Sequence, residues 1–294
     1  MTVAFVLSGG ASLGAIQVGM LRALAERDIR PDVIIGTSVG AVNGAFLAGR
    51  ELSVETVEEL AGIWRGLRRG RVFPTEPLTG FLGFLGARRN LVPAGALRRL
   101  IGRHIEHERL EDLPTPLHVI ACDVLTGSEL RLSSGPLLEA IMASAAIPGI
   151  FPPVEWDGRL LIDGGVVNNT PITHALDLRP RHVYVLPTGG PCELTTPPRG
   201  ALGMLIHATN LLVAQRFVGE ATTLTGSRVT ILPPPCPIRV QPTDFDHADD
   251  LIARAHDSAG TFLDDERGRV VPLSPAHTHR PPRTGDATAL PSAG

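Results

Sequence analysis

Val3 to Leu7 is a continuous apolar run that stops at Ser8-Gly9-Gly10, and beyond the stop Ile16, Met20, Leu21 and Leu24 recur at helical spacing. A buried strand, a tight loop and a helix are predicted. Asp32-Val33-Ile34-Ile35-Gly36 repeats the pattern, because a β-branched run again ends at glycine, and Ala41, Val42, Ala45, Phe46 and Leu47 follow on a helical segment. Further apolar runs predict strands at residues 117–122, 130–132, 159–162, 183–186 and 229–232. Helical patterns occupy residues 54–67 and 94–105, and residues 246–266 form a final amphipathic one. Strands alternating with helices predict an α/β fold, a three-layer α/β/α arrangement around a mostly parallel central sheet. No internal repeat is present.

At 294 residues the chain has room for one large α/β domain. That domain is expected over residues 1–273. Residues 274–294 are dominated by Pro, Thr, Ala, His, Arg and Gly with almost no large apolar residue, so they form a tail expected to be disordered. His277 and His279 belong to that solvated tail. A formal net charge of −3 with scattered basic residues gives no footprint for a nucleic-acid partner. All the cationic residues are arginine, a bias from which no function is read. Cys122, Cys192 and Cys236 are odd in number, far apart and without a Cys-x-x-Cys pair, which fits a reducing cytoplasm and suggests neither a disulfide framework nor a zinc site. The start of the chain reads as a strand and not a signal peptide. Residues 202–218 are apolar but carry His207, Asn210, Gln215 and Arg216, too polar for a lipid-exposed span.

Gly36-Thr37-Ser38-Val39-Gly40 sets a serine between two glycines where an apolar strand meets a helix, the context of a nucleophile elbow. The sharp turn leaves no room for side chains two residues either side of the serine, hence Gly36 and Gly40, and the following helix points its free amides toward developing negative charge. The same five residues also describe a glycine-flanked helix N-cap. A second glycine-rich turn on the adjacent unit, Ser8-Gly9-Gly10-Ala11-Ser12-Leu13-Gly14, offers backbone amides for an oxyanion hole. It is not a nucleotide loop: a dinucleotide fingerprint needs glycine at Ala11, and a P-loop needs lysine at Ala15.

A serine nucleophile needs a base. His174, His182 and His207 follow the motifs, but none stands in a recognisable catalytic setting. Leu161-Ile162-Asp163-Gly164-Gly165 instead puts a carboxylate directly after an apolar strand, with two glycines that let it lie against another backbone; the bland alternative is an ordinary Asp-Gly turn. In order and spacing, Gly9 to Gly14, the elbow at Ser38 and Asp163-Gly164-Gly165 resemble the patatin-like phospholipase family. The block from Ala143 to Val154 and the run Val167-Asn168-Asn169-Thr170-Pro171 are similar to that family's sequence before and after its aspartate. The resemblance extends over residues 3–265.

The resemblance implies a patatin-like fold, lipid ester hydrolysis, and a Ser-Asp dyad without histidine in which Ser38 is the nucleophile and Asp163 the general base. It also implies an oxyanion hole from the amides of Gly9, Gly10 and Ala11, with Gly14 starting the next helix. Such a base must be close and partly desolvated, which raises its proton affinity. The chain departs from the family pattern at Ala11, where a third glycine is usual, and at Leu13, where a basic residue is usual; phospholipid is therefore less firmly implied than an acyl ester. The mechanism requires no metal or cofactor, and no ligand cluster stands out. Between Trp64 and Leu91 the chain mixes Trp64, Phe73, Phe81, Leu82, Phe84 and Leu85 with Arg65, Arg68, Arg69, Arg71, Arg88 and Arg89, either as a surface for peripheral contact with an anionic membrane or as a cluster under solvated arginines. A silent acyl-chain-binding or interaction protein, and an acyltransferase using the same covalent intermediate, are the alternative functions. Oligomeric state and head group are not legible.

Overall fold

The computed structural model describes residues 2–74, 89–189, 200, 204–205, 207–209, 211–213, 216–217 and 228–265. The tail at 274–294, Cys192 and residues 75–88 of the aromatic and arginine stretch lie outside them.

The two opening units form as the periodicity predicts. Strand β1 (Val3–Leu7) leads through a short 3-10 turn into α1 (Gly14–Ala25), and β2 (Val33–Thr37) leads through Ser38 into α2 (Val39–Ala48). Helices α3 (Val54–Gly66), α4 (Arg69–Val72) and α5 (Gly95–Gly102) precede β3 (Leu117–Asp123), and β4 (Glu129–Leu132) turns back on it. Then come α6 (Leu137–Ser144), β5 (Val154–Trp156), β6 (Arg159–Asp163), α7 (Ile172–Asp177), β7 (His182–Leu186), β8 (Val229–Ile231) and α8 (Ala248–Asp265). Helix α5 is shorter than the apolar pattern over 94–105, which runs past the poor helix former Gly102 into a turn. The three-residue strand β5 carries too little pattern to read from sequence. It is joined to β6 by Asp157 and Gly158, both at positive φ (52° and 74°), a two-residue hairpin turn for which Asp-Gly is the favoured pair.

The sheet order is β5-β6-β3-β2-β1-β7-β8, with β4 also paired to β3. Strands β3, β2, β1, β7 and β8 run parallel, while β4, β5 and β6 pair antiparallel. Alternation along each central strand divides the core. Phe5, Leu7 and Ile34 face a large cluster beneath α1, α2, α3, α6 and α8, whereas Ala4, Val6, Val33 and Ile35 face a smaller one under α7.

One detail of register positions the chemistry. Ile120 of β3 pairs with Thr37 of β2 and with Arg131 of β4, and the next residue, Ala121, pairs with Asp163 of β6 and with Leu130 of β4. Because β4 occupies one edge of β3, β2 and β6 must share the other, end to end. The last residue of β6 therefore meets the end of β2, where Ser38 emerges.

Candidate active site

Ser38 holds φ 53° and ψ −122°, a conformation that costs a non-glycine residue on the order of 1–3 kcal/mol and persists only where its surroundings impose it. A Cβ on Gly40 would lie 2.1 Å from the Leu7 carbonyl oxygen, and one on Gly36 2.6 Å from that of Gly40. The Ser38 amide donates to Ser144 Oγ at 2.8 Å, and that hydroxyl donates onward to the Ile120 carbonyl at 2.5 Å. The Ser38 side chain makes no helix-cap bond. Its Oγ donates instead to Asp163 Oδ2 at 2.7 Å.

Asp163 ends β6 with its amide on the Ala146 carbonyl (3.0 Å) and its Oδ1 accepting from the Gly165 amide (2.7 Å). Gly164 lies against β3, where a Cβ would come 2.3 Å from the Ile120 oxygen. Burial pushes the carboxyl from its ordinary value of 3.8 up to about 6, against the hydrogen bonds from Ser38 and Gly165, which favour the charged form. Both Ser38 (7 % exposed) and Asp163 (6 %) are shielded from bulk water. The pair thus comprises a hydroxyl and a carboxylate able to take its proton near neutral pH.

The first glycine-rich loop lies beside the pair, since a Cβ on Gly9 would come 3.2 Å from Ser38 Cβ. The Gly9 amide was expected among the oxyanion donors, but it already donates to the Asn169 carbonyl at 3.0 Å. Ser12 N is bound to the Pro242 carbonyl, and among the described residues the Gly10 and Ala11 amides have no acceptor. Ala11 adopts φ 49°, the left-handed conformation for which glycine would be the usual choice. Leu13 is 1 % exposed and belongs to the core, so position 13 faces inward in this chain.

A buried polar network holds this loop, and Gln17, Asn43 and Thr188 join it from outside the sequence motifs. Gln17 of α1 donates to the carbonyls of Ser8 (2.9 Å) and Leu186 (3.0 Å). Asn43 of α2 donates to Gln17 Oε1 (2.9 Å) and the Gly14 carbonyl (3.1 Å), and accepts from the Trp64 indole (3.0 Å). Thr188 Oγ1 and Asn169 Nδ2 both donate to the Gly9 carbonyl (2.6 and 3.3 Å), and Thr37 Oγ1 donates to that of Asn168 (2.9 Å). The signal available in sequence was a Gln and an Asn at helix positions where neighbouring turns are apolar.

Ser38 and Ala11 stand in the lining of a cavity of about 840 Å³, open mouth included. Its walls include the apolar face of α2 (Val39, Val42, Phe46), α3 with Leu60 and Trp64, and the α5 region. Among the described residues, the polar side chains lining it besides the Trp64 indole are Ser38, Asn43 and His104. Trp64 stacks on Phe245 and Phe73 on Phe151, so these two aromatics are packed into the cavity wall. His174 bonds Glu129 and His182 bonds Thr230; neither these nor His207 lines the cavity. Among the described residues no group of three or more His, Cys, Asp or Glu side chains is placed to hold a metal ion. No helix among them is long and apolar enough to cross a membrane.

The patatin-like phospholipase family profile matches residues 5–176, more than half of the chain, and spans the glycine-rich loop, the elbow and the aspartate turn. The chain belongs to the patatin-like phospholipase family. It is 36% identical over 172 residues to an uncharacterized NTE family protein of Mycobacterium tuberculosis, covering 58% of this chain and 44% of that one. It is 32% identical over 199 residues to human patatin-like phospholipase domain-containing protein 6, covering 65% of this chain and 14% of that protein. The chain thus spans less than half the length of either relative. In fold it is similar to VipD from Legionella pneumophila, with a TM-score of 0.50 at 15% identity over 90% of this chain and 67% of that one. At that identity the likeness is one of fold, a mixed, mostly parallel central sheet covered by helices.

Proposed function

We propose that this protein is a serine acyl hydrolase acting on carboxylic esters of lipids through a Ser38–Asp163 dyad and a covalent acyl-enzyme. The observation that carries the reading is the 2.7 Å bond to the buried Asp163 carboxylate from Ser38 Oγ, on a serine that lines a cleft whose other described side chains are almost entirely apolar. Family membership supports it independently.

In the proposed cycle Asp163 takes the Ser38 proton as Oγ attacks the ester carbonyl, and the Gly10 and Ala11 amides stabilise the tetrahedral oxyanion. Asp163 then returns the proton to the departing alcohol as the intermediate collapses to an ester on Ser38. A water molecule enters, gives its proton to Asp163 and attacks that ester. The second collapse releases the fatty acid and restores the serine hydroxyl with the same proton. No cofactor takes part. The imposed φ at Ser38 keeps Oγ on the carboxylate, so little reorganisation is needed when charge develops.

The test is hydrolysis of p-nitrophenyl octanoate by wild-type, Ser38→Ala and Asp163→Asn protein. Turnover by the wild type that falls at least 1,000-fold in both variants supports the dyad, and an Asp163→Asn variant with an undiminished rate refutes it.

A further inference from the structure

The end of the cavity far from Ser38 is bordered by an ion-paired arginine. Val39, Val42, Asn43 and Phe46 place one face of α2 along its length, so the cavity follows that helix from its first turn to its last. At the end of α2 the Arg50 guanidinium lies 4.0 Å over the centre of the Phe46 ring. The same guanidinium donates to the Phe46 carbonyl (3.1 Å) and the His104 carbonyl (3.4 Å) and pairs with Glu106 and, at 3.9 Å, with Glu59 of α3. One cation therefore straps together α2, α3 and the segment after α5, all of which line the cavity. Beyond Phe46 an entering chain meets an ion-paired, hydrogen-bonded group that it cannot displace without leaving charges and carbonyls unpaired.

The length follows from helix geometry. Phe46 lies eight residues beyond Ser38, which at 1.5 Å per residue is about 12 Å. An extended hydrocarbon chain advances about 1.3 Å per carbon, since C–C bonds of about 1.5 Å zigzag. The space between the nucleophile and the stopper thus holds roughly nine carbons.

We propose that Phe46 under Arg50 is a chain-length stop, making this a hydrolase for medium-chain acyl groups of about eight to ten carbons. The proposal rests on the serine-hydrolase reading above and deepens it. It is tested with p-nitrophenyl esters from C4 to C16, presented in mixed micelles of one detergent, on wild type, Phe46→Ala and Val42→Phe, each first titrated with a short-chain fluorophosphonate to count working Ser38. The ratio of C14 to C8 turnover per working site is the readout. Expected are a wild-type optimum at C8–C10 with C14 at least tenfold lower, a Phe46→Ala optimum two to four carbons longer, and a Val42→Phe optimum shortened toward C4–C6, because Val42 sits one helical turn nearer Ser38. Titratable sites with equal turnover from C8 to C16, or an optimum that moves with neither variant, would overturn the stop while leaving the hydrolase intact. Absence of both titration and turnover in folded wild type would instead overturn the hydrolase reading beneath it.

Discussion

Replacing Asp163 by Asn is predicted to abolish activity and at the same time stabilise the fold at alkaline pH. Burial raises the Asp163 carboxyl from 3.8 to about 6. At about 1.4 kcal/mol per pH unit, that rise corresponds to about 3 kcal/mol of destabilisation by the charged form. The sign follows from linkage. An acid whose folded-state value is raised binds its proton more tightly folded than unfolded, so its penalty is absent below pH 4, grows between pH 4 and 6, and is complete above. Asparagine carries no such penalty, and its amide oxygen can still accept one of the two hydrogen bonds now made by Ser38 and the Gly165 amide. Losing the other costs about 1 kcal/mol, leaving a net gain of about 2 kcal/mol at pH 8. For a domain of this size that raises the melting temperature by roughly 4–8 °C. Melting curves of both proteins at pH 4.5 and pH 8 are the assay. A variant whose advantage is the same at both pH values, or which melts lower at pH 8, would refute the claim that Asp163 is held charged against its surroundings.

Other expectations follow from the same geometry. Wild-type kcat/KM should rise with pH through an apparent value near 6 and then level off, with the rate at pH 5 about tenfold below the plateau, because only ionised Asp163 accepts the serine proton; a flat profile from pH 5 to 8 contradicts this. Ser144→Ala leaves the Ser38 amide and the Ile120 carbonyl without their partner, and should cost about 2–4 kcal/mol in urea unfolding and lower kcat more than it changes KM. Asn43→Leu strands the Trp64 indole and the Gln17 amide oxygen in the core, with an expected loss of about 3 kcal/mol, read by the same denaturation.

How much of this was legible in the sequence depends on how local each feature is. Strands β1 and β2 and their helices were readable because a five-residue apolar run and its stopping glycine are local signals. So were Ser38 and Asp163, each marked by flanking glycines whose absent side chains make room for a neighbouring backbone. That the two residues touch was implied by the family resemblance but shown by no local pattern, since it depends on β2 and β6 meeting end to end along one edge of β3. The expected donor Gly9 proved to be spoken for by Asn169, a contact across 160 positions that no pattern in the loop reveals. The helix predicted over 94–105 was overextended because its apolar spacing continues through a turn. Trp64 and Phe73, read as possible surface aromatics, turned inward because α3 and α4 pack over the cavity. The polar residues that lock the loop, Gln17, Asn43 and Thr188, lacked any motif and became visible only through their partners.

The central claim is that Ser38 is a nucleophile activated by Asp163. It is tested most directly by covalent labelling with a fluorophosphonate probe followed by peptide mass spectrometry on wild type, Ser38→Ala and Asp163→Asn. The dyad predicts one modified peptide, carrying the adduct on Ser38 in wild type and lost in both variants. A folded wild type that takes no label, or labelling of Ser38 undiminished in Asp163→Asn, would contradict it.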